Sequence, residues 1–348
     1  MATRTISNAG GNWGSVGTWV EGAVPTNADR VVATATSGNV TIAAAAVCLS
    51  ADFTGYTGTL THNAFNWTIG NSGTTDNSHL IFVSGMTYTT STSTSCKITM
   101  AGRYDGITPH RITSAGKSIR NITFNNSLGR WATTDAITVP GTLLLSNGTI
   151  DFTNVGTNSA GGTIDTVTLT QQSVILEGNF YCRNFIASGS SVINPGSSTV
   201  YLTGGGTLGA GFNTFHNLNI TGTLNVVDNV IYESNLTIAG GSVISFLPPD
   251  GSFTFNDPAS VTLNGSAGNL VEFKSTSVGV QTSINGDGSS TYNFSYLKLT
   301  DSAAGLGIFN ATHSENVGNN TGWNFADGFT GRQVSRRVRW RSSSGFRN

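Results

Sequence analysis

A strand-length phrase recurs along this chain at wide spacing, and few architectures accommodate such a recurrence. Ile119-Arg120-Asn121-Ile122-Thr123-Phe124 returns 96 positions later as Phe215-His216-Asn217-Leu218-Asn219-Ile220, and Phe294-Ser295-Tyr296-Leu297-Lys298-Leu299 is a looser copy. In each copy apolar side chains hold alternate positions, the period of a strand with one buried face. A second phrase, Gly141 to Ile150, is answered 93 positions later by Ser234 to Val243. Short strand phrases that return at nearly equal shifts indicate stacked units, the mark of a solenoid.

Composition narrows the alternatives. Only 10% of the 348 residues are charged and 37% are apolar, with 44 Gly against 7 Pro. Such a chain could be disordered, but the alternating Val, Ile, Leu and Phe argue for a packed core. Helical periodicity is missing; the run Ala43 to Ala46 is short and lacks a polar face. The chain therefore reads as all-β. Strands are expected at Leu80 to Val83, Lys97 to Met100, Asp165 to Leu169, Ser198 to Leu202, Asn229 to Tyr232, Ser252 to Phe255, Ser260 to Leu263 and Leu270 to Phe273. Gly, Asn and Ser clusters punctuate them every ~8 to 12 residues. A β-sandwich gives similar punctuation but rarely echoes a whole strand-turn-strand phrase after so long an interval. A parallel β-helix does, and the shift then corresponds to about four coils of ~23 to 24 residues stacked ~4.8 Å apart. Growth by coils around a narrow core also lets a chain of this length remain one body.

The places where the repeat stops are distinctive. Trp13, Trp19 and Pro25 lie near one end, and Trp323 and Phe325 near the other, as caps over an otherwise open solenoid core. Residues 332–348 carry Arg332, Arg336, Arg337, Arg339, Arg341 and Arg347 without an acid, whereas residues 1–331 hold 11 basic and 18 acidic side chains. The body is thus near −7 and the tail near +6. Val338 and Trp340 alternate with arginines as in a strand, so the tail is read as an attachment arm for an acidic protein surface or a neighbouring subunit. Nucleic-acid binding by the arginines and Trp340 and a plain solubilising end are the weaker readings. The expected divisions are a cap and first coil over 1–30, a β-helix with its C-terminal cap over 31–326, and the arm over 327–348.

Both ends and the internal phrase carry a family resemblance. Gly11-Asn12-Trp13, Gly17-Thr18-Trp19, the segment Val24 to Val32, Phe215 to Ile220 and the closing Gly318-Asn319-Asn320-Thr321-Gly322-Trp323-Asn324-Phe325 resemble right-handed parallel β-helix proteins. Such proteins occur in tailed-bacteriophage virions and on bacterial surfaces. The resemblance spans most of residues 8–325 and rests on fold-forming positions. It implies a single-stranded right-handed parallel β-helix, and the lack of a signal peptide or sorting tail favours the phage branch.

Candidate chemistry is sparse. Gly204-Gly205-Gly206-Thr207-Leu208-Gly209 matches GxGxxG, and Asp228 follows at about the right interval, yet no amphipathic helix follows to hold a pyrophosphate. Paired carboxylates for glycan cleavage need to lie ~5 to 10 Å apart. Asp135 with Asp151, or Asp228 with Glu233, could meet across coils, although turn and capping roles suit these acids better. His62, His79, His110, His216 and His313 show no metal-ligand spacing, and Cys48, Cys96 and Cys182 form no disulfide framework or metal knot. Any exposed rings among Tyr56, Tyr88, Tyr104 and Trp131 could stack on glycans.

The expected protein is a non-enzymatic structural component of a phage particle: a fibre, spike or capsid decoration. It needs no cofactor and no metal, is made in the host cytoplasm without a signal peptide, and is placed in the virion without contact to a membrane. Its partners would be other virion proteins, through the arm, further copies of itself with a trimer among the candidate forms, and host-surface glycans; nucleic acid is not expected as a partner. A tailspike-type glycan depolymerase is the alternative and a bacterial surface adhesin the next.

Overall fold

The computed structural model describes residues 1–325 except 74, 76–77, 152–163, 171, 176–178, 188–190, 212–213 and 256–259, and the backbone alone of 151, 172–175, 179–180 and 192. The chain winds into a parallel β-solenoid of about 12 turns, with 58% of it in strands. All the ladders between its strands are parallel. The one helical element among the described residues is a 3-10 turn, Val16–Thr18.

Each complete coil contributes a strand to each of three faces. On the first face, one inward row runs Cys48, Ile69, Met100, Phe124, Leu145, Leu169, each the register partner of the next. On the second, His110, Trp131 and Ile150 are stacked, and further along so are Phe253, Ile284 and Ala304. On the third the row is Ile164, Cys182, Leu202, Ile220, Ile238. Apart from the buried His110 and the partly buried Ala304, these inward side chains belong to one continuous apolar core. Their sequence neighbours point outward and are largely polar: Thr68 and Thr99, both partly exposed, form one such row on the first face. Alternation therefore follows from a solvated outer surface around a dry interior, and β-branched Thr fits that pleated surface well. Burying each Val, Ile, Leu or Phe contributes ~1.5–3 kcal/mol.

Every strand expected from alternation is present, with ends moved by at most two residues except at Asn229–Ala239, which runs seven residues further than expected. Ser252–Phe255 and Lys97–Met100 coincide, while Leu80–Ile81 is shorter and Asn229–Ala239 longer. The coil count inferred from the recurrence needs correction. Phe124 lies on the first face, but Ile220, its counterpart 96 positions on, lies on the third. The shift is thus four coils and a further two faces, rather than a whole number of turns.

The phrase recurs because it spells a corner followed by a strand, and any face can use it. Asn121 precedes a first-face strand; its amide donates to Cys96 O in the coil before (2.9 Å), and its carbonyl accepts from Thr142 N in the coil after (2.9 Å). Asn184 does the same between Asp165 O (3.4 Å) and Thr207 N (2.9 Å). On the third face Asn235 donates to Asn217 at 2.7 Å. Coil length is free to vary around these corners, from the long coil that separates Ile69 from its partner Met100 to the short one that separates Leu299 from Asn316. In the short last coils a single left-handed residue turns each of two corners. Tyr296 (φ 60°) and His313 (φ 48°) stack their rings at one, and Asn319 (φ 53°) donates to Asp301 (φ 54°) at 2.7 Å at the other.

Candidate functional site: the ends and outer faces of the rod

The first coil begins at Thr3–Thr5, which pairs in parallel with Arg30–Val32 and would leave its other edge bare. The chain closes this edge by folding back. Residues 18–21 run antiparallel along it: Ser7 N donates to Thr18 O (2.8 Å), Val20 N to Thr5 O (2.9 Å), and Ile6 bridges Trp19. Thr5 N donates to a Glu21 carboxylate oxygen at 2.8 Å. Burial raises the Glu21 pKa, but this hydrogen bond, the Thr5 hydroxyl, the residue's own backbone N–H and the Arg4 charge together hold the group below its usual value. Trp13 and Trp19 meet edge to face at 5.0 Å, and Trp19 Nε1 donates to Trp13 O at 2.9 Å. Both rings are buried, Pro25 is buried beside them in the sequence, and Trp13 continues onto Trp67 in the core. The edge of Thr3–Thr5 is thus closed in backbone hydrogen bonding and the end is covered in apolar surface, while among the described residues no strand pairs with the outer edges of Gly11–Asn12 and Ala46–Cys48.

The other end is built differently. Trp323–Phe325 forms a rung on the third face, pairing with Phe309 to Ala311. Trp323 is buried against Phe309 (5.3 Å) and Phe294 (6.3 Å), and its Nε1 donates to Ser302 Oγ at 3.2 Å. Phe325 is half-buried and extends the rung. Among the described residues no segment pairs with the outer edge of Glu315–Gly318 or of Trp323–Phe325. Leu306, Ile308 and Val317 are exposed close to this end. The arm residues Arg332, Arg336, Arg337, Val338, Arg339, Trp340, Arg341 and Arg347 lie outside the described residues, as does the expected division 327–348.

Charge is distributed unevenly along the axis. Residues 1–183 hold nine basic and nine acidic side chains, whereas residues 184–327 hold two lysines against nine acids. The whole negative excess of the body thus sits in the later coils, next to the arm. On the first face Glu272 is shared by Lys274 (3.7 Å) and Lys298 (3.5 Å), which uses both lysines.

One face of those later coils is interrupted. Among the described residues Ser260–Asn264 pairs with Asn235 to Ala239 on one side but with no strand on the other, and Thr291–Ser295 begins a three-stranded ladder. The first and second faces continue unbroken past this level. Val261 and Leu263 are accordingly only half-buried, although their partners Leu236 and Ile238 are 1% and 0% exposed. A cleft of about 250 Å³ opens there, lined by Val261, Asp287, Ser290, Tyr292, Asn293 and Phe294 among others. At its rim the Asp287 carboxylate accepts from Ser290 Oγ (2.6 Å), Ser290 N (2.7 Å) and Ser289 N (2.9 Å), which hold its pKa below the usual range.

Of the four carboxylates considered for catalysis, Asp135 and Asp228 are engaged at corners and Glu233 is exposed on the strand Asn229–Ala239. Asp135 accepts from Ser114 N at 2.7 Å and from Ala115 N, and Asp228 accepts from Gly211 N at 3.2 Å. The Asp151 side chain is not among those described. Gly204 and Gly205 turn a corner with φ of 61° and 73°, and the next element after Gly206–Gly209 is the strand Thr214–Thr221. No group of three or more metal-ligating side chains occurs among the described residues. His62 is buried between Tyr88 OH (2.8 Å) and Phe65 O (2.9 Å), and burial lowers its pKa. All three cysteines are buried, and burial pushes the Cys48 thiol up to about 12.

Two of the rings considered for glycan stacking belong to the core. Trp131 is 0% exposed and packs on Phe124 at 5.2 Å, in space left by Gly129 and Gly148. Tyr56 is 1% exposed, its hydroxyl within reach of Gly38 O and Thr59 O. Tyr88 bonds His62, and Tyr104 is covered by Arg130 at 5.8 Å. An outward stack that the alternation did not single out is Tyr181 on Tyr201, 4.3 Å apart and nearly coplanar at 9°. They are register partners on the third face, next to the Arg183–Asp165 ion pair at 2.8 Å. In the sequence these two tyrosines carry no signal until the coil length between them is known.

Comparison with protein-family models, with curated proteins and with solved structures found no match for this chain.

Proposed function

We propose that this protein is a non-enzymatic structural element of a tailed-bacteriophage particle, a fibre, spike or decoration, held by its C-terminal end. One observation carries the proposal: the two ends of the rod are finished differently. At the N-terminal end the edge of Thr3–Thr5 is closed by an antiparallel return beside a tryptophan pair, whereas at the other end, among the described residues, the edge of Trp323–Phe325 is unpaired and the arginine-rich arm follows it in the sequence. A sealed end suits exposure to solvent, and an unsealed end suits contact with another protein, where strand addition and charge pairing both operate. The phage assignment itself rests on the resemblance of the chain's ends and internal phrase, and it includes right-handed winding, as nearly all parallel crossovers have.

In this reading the solenoid is the rigid body, the partners at the C-terminal end are other virion proteins or further copies of the chain, and the outer faces meet host glycans. The Tyr181–Tyr201 stack beside Arg183 and Asp165 offers the planar ring and charged hydrogen-bonding groups that sugars use. The test is incorporation: particles assembled with the full chain and with a chain lacking residues 327–348 are purified and probed for the protein. Loss of incorporation with the rod still folded supports attachment through the arm, and normal incorporation refutes it.

A further inference from the structure

We infer that the third face binds an uncharged glycan, one sugar ring of which takes the next place in the Tyr181–Tyr201 stack, over Asn219. The inference rests on the reading that the outer faces meet glycans, and it names the position and the class of sugar. It starts from a step in one outward row. Tyr181, Tyr201, Asn219, Thr237 and Thr262 are successive register partners on this face. The two tyrosine rings lie 4.3 Å apart and within 9° of parallel, so their faces point along the rod, one ring to each rung of ~4.8 Å. Asn219 is too short to continue the stack. The far face of Tyr201 therefore overhangs a shelf floored by Asn219 and Thr237, and all three residues are partly exposed.

A pyranose ring matches this shelf. It has a flat face of C–H groups, which packs on the electron-rich face of a tyrosine, and a rim of hydroxyls that needs donors and acceptors around it. Within Thr214–Thr221 the outward neighbours of Asn219 are Asn217 and Thr221, each ~6.6 Å away along the strand. Asn217 is held in place, donating to Thr199 Oγ1 at 3.4 Å and accepting from Asn235 at 2.7 Å. Asn219 beneath the ring offers both an amide donor and a carbonyl acceptor. A ring stacked on Tyr201 has its rim in the plane that contains these groups, so a glycan linked through that rim runs across the coils and not along the rod.

Charge selects the class of sugar. The outward positions of four successive rungs, in Thr199–Thr203, 217–221, 235–239 and Ser260–Asn264, hold Thr, Asn, Ser, Tyr201 and Ala239, with no acid, lysine, arginine or histidine. The first face differs, with Glu272, Lys274, Lys298 and Glu315 in its outward rows. Arg183, two positions from Tyr181, is paired with Asp165 at 2.8 Å. A sugar bearing a carboxylate or phosphate would meet no cation on the shelf, and it would enter coils that carry nine acids against two lysines, both shared with Glu272. A neutral glycan leaves no charge unpaired there and uses the hydroxyl and amide rows.

An array of bacterial capsular and O-antigen polysaccharides, with neutral and with acidic repeats, tests the inference on the full chain. Binding is expected to neutral polymers alone and to persist at high salt, since no ion pair carries it. Tyr201→Ala should weaken it ~10-fold, whereas Tyr201→Phe, which keeps the ring, should retain it. Asn219→Arg should also weaken it, because the guanidinium covers the bare face of Tyr201. All three changes are at outward positions, and far-UV circular dichroism identifies folded variants; if Tyr201→Ala unfolds, Asn219→Arg decides. Binding confined to acidic polymers, or undiminished in folded Tyr201→Ala or Asn219→Arg, overturns this site and leaves the broader glycan reading standing. Failure to bind any polymer of either kind overturns the glycan reading and this inference with it.

Discussion

Replacing Asn121 by Ala should cost about 2–4 kcal/mol, because one side chain holds three coils together. Its amide nitrogen lies 2.9 Å from Cys96 O and 3.3 Å from Thr94 O, and its oxygen accepts from Thr142 N at 2.9 Å. The residue is 7% exposed, so water replaces little of what the carboxamide supplies. Truncation strands a buried N–H and a buried C=O at ~1–3 kcal/mol each, reduced somewhat by the corner position. Asn184 makes the same bridge with a longer bond, 3.4 Å to Asp165 O, and is half-buried, so Asn184→Ala should cost less, ~1–2 kcal/mol. Urea denaturation of the two variants gives the ranking. Amide exchange gives the location, since a solenoid transmits stability chiefly between neighbouring coils. Protection should fall at Ile98 and Thr142 and remain at Val271–Ser275. A loss below ~0.5 kcal/mol for Asn121→Ala, outside the range for an unsatisfied buried group, refutes the argument, as does uniform loss of protection along the rod.

Acidification should destabilise the rod through its buried histidines. Burial holds the folded-state pKa of His62 below its ordinary ~6.5, so its contribution is present above that pH and is lost as pH falls towards the folded value; the urea midpoint should drop between ~pH 7 and 5, and His62→Phe should flatten the drop. His79, pushed down to about 4 by burial and then by Arg111, adds to the same trend, and a midpoint that rises on acidification contradicts both. Trp19→Ala should cost ~3–5 kcal/mol and expose the first coil's edge, with self-association seen by light scattering; an unchanged, monodisperse variant would argue against a sealing role. The three buried thiols should resist a soluble thiol reagent until the rod is unfolded, and fast labelling of any of them in the native state would place it at the surface.

Much of this fold is legible in the sequence because one face of nearly every strand is wet. Thr68 and Thr99 outside, with Ile69 and Met100 inside, print a period of two that needs no knowledge of neighbours. Phase is another matter. Asn121 and Asn217 open strands on different faces, and the sequence between them does not declare how many corners it turns. A long coil such as that from Ile69 to Met100 and a short one such as that from Leu299 to Asn316 both stack in register. The tryptophans near the N-terminus stand out by composition, but the antiparallel return over the first edge depends on backbone hydrogen bonds that no residue pattern announces. The third-face cleft is equally silent: Ser260–Asn264 alternates like any other strand, and the rings of Tyr292 and Phe294 beside it come from a later coil.

The closed N-terminal end has a kinetic consequence. A parallel solenoid whose coils pair mainly with the coil just before them can be wound while the chain is still being made, because each new turn finds its template already in place. At ~5–20 residues per second a coil of ~20 residues emerges every ~1–4 s, far longer than local collapse requires. Trp13, Trp19 and Trp67, all within the earliest coils, would then be the first compact seed, and the return of residues 18–21 would stop that seed from adding strands backward. Winding in such a rod has one direction, set by which of its two ends is finished first.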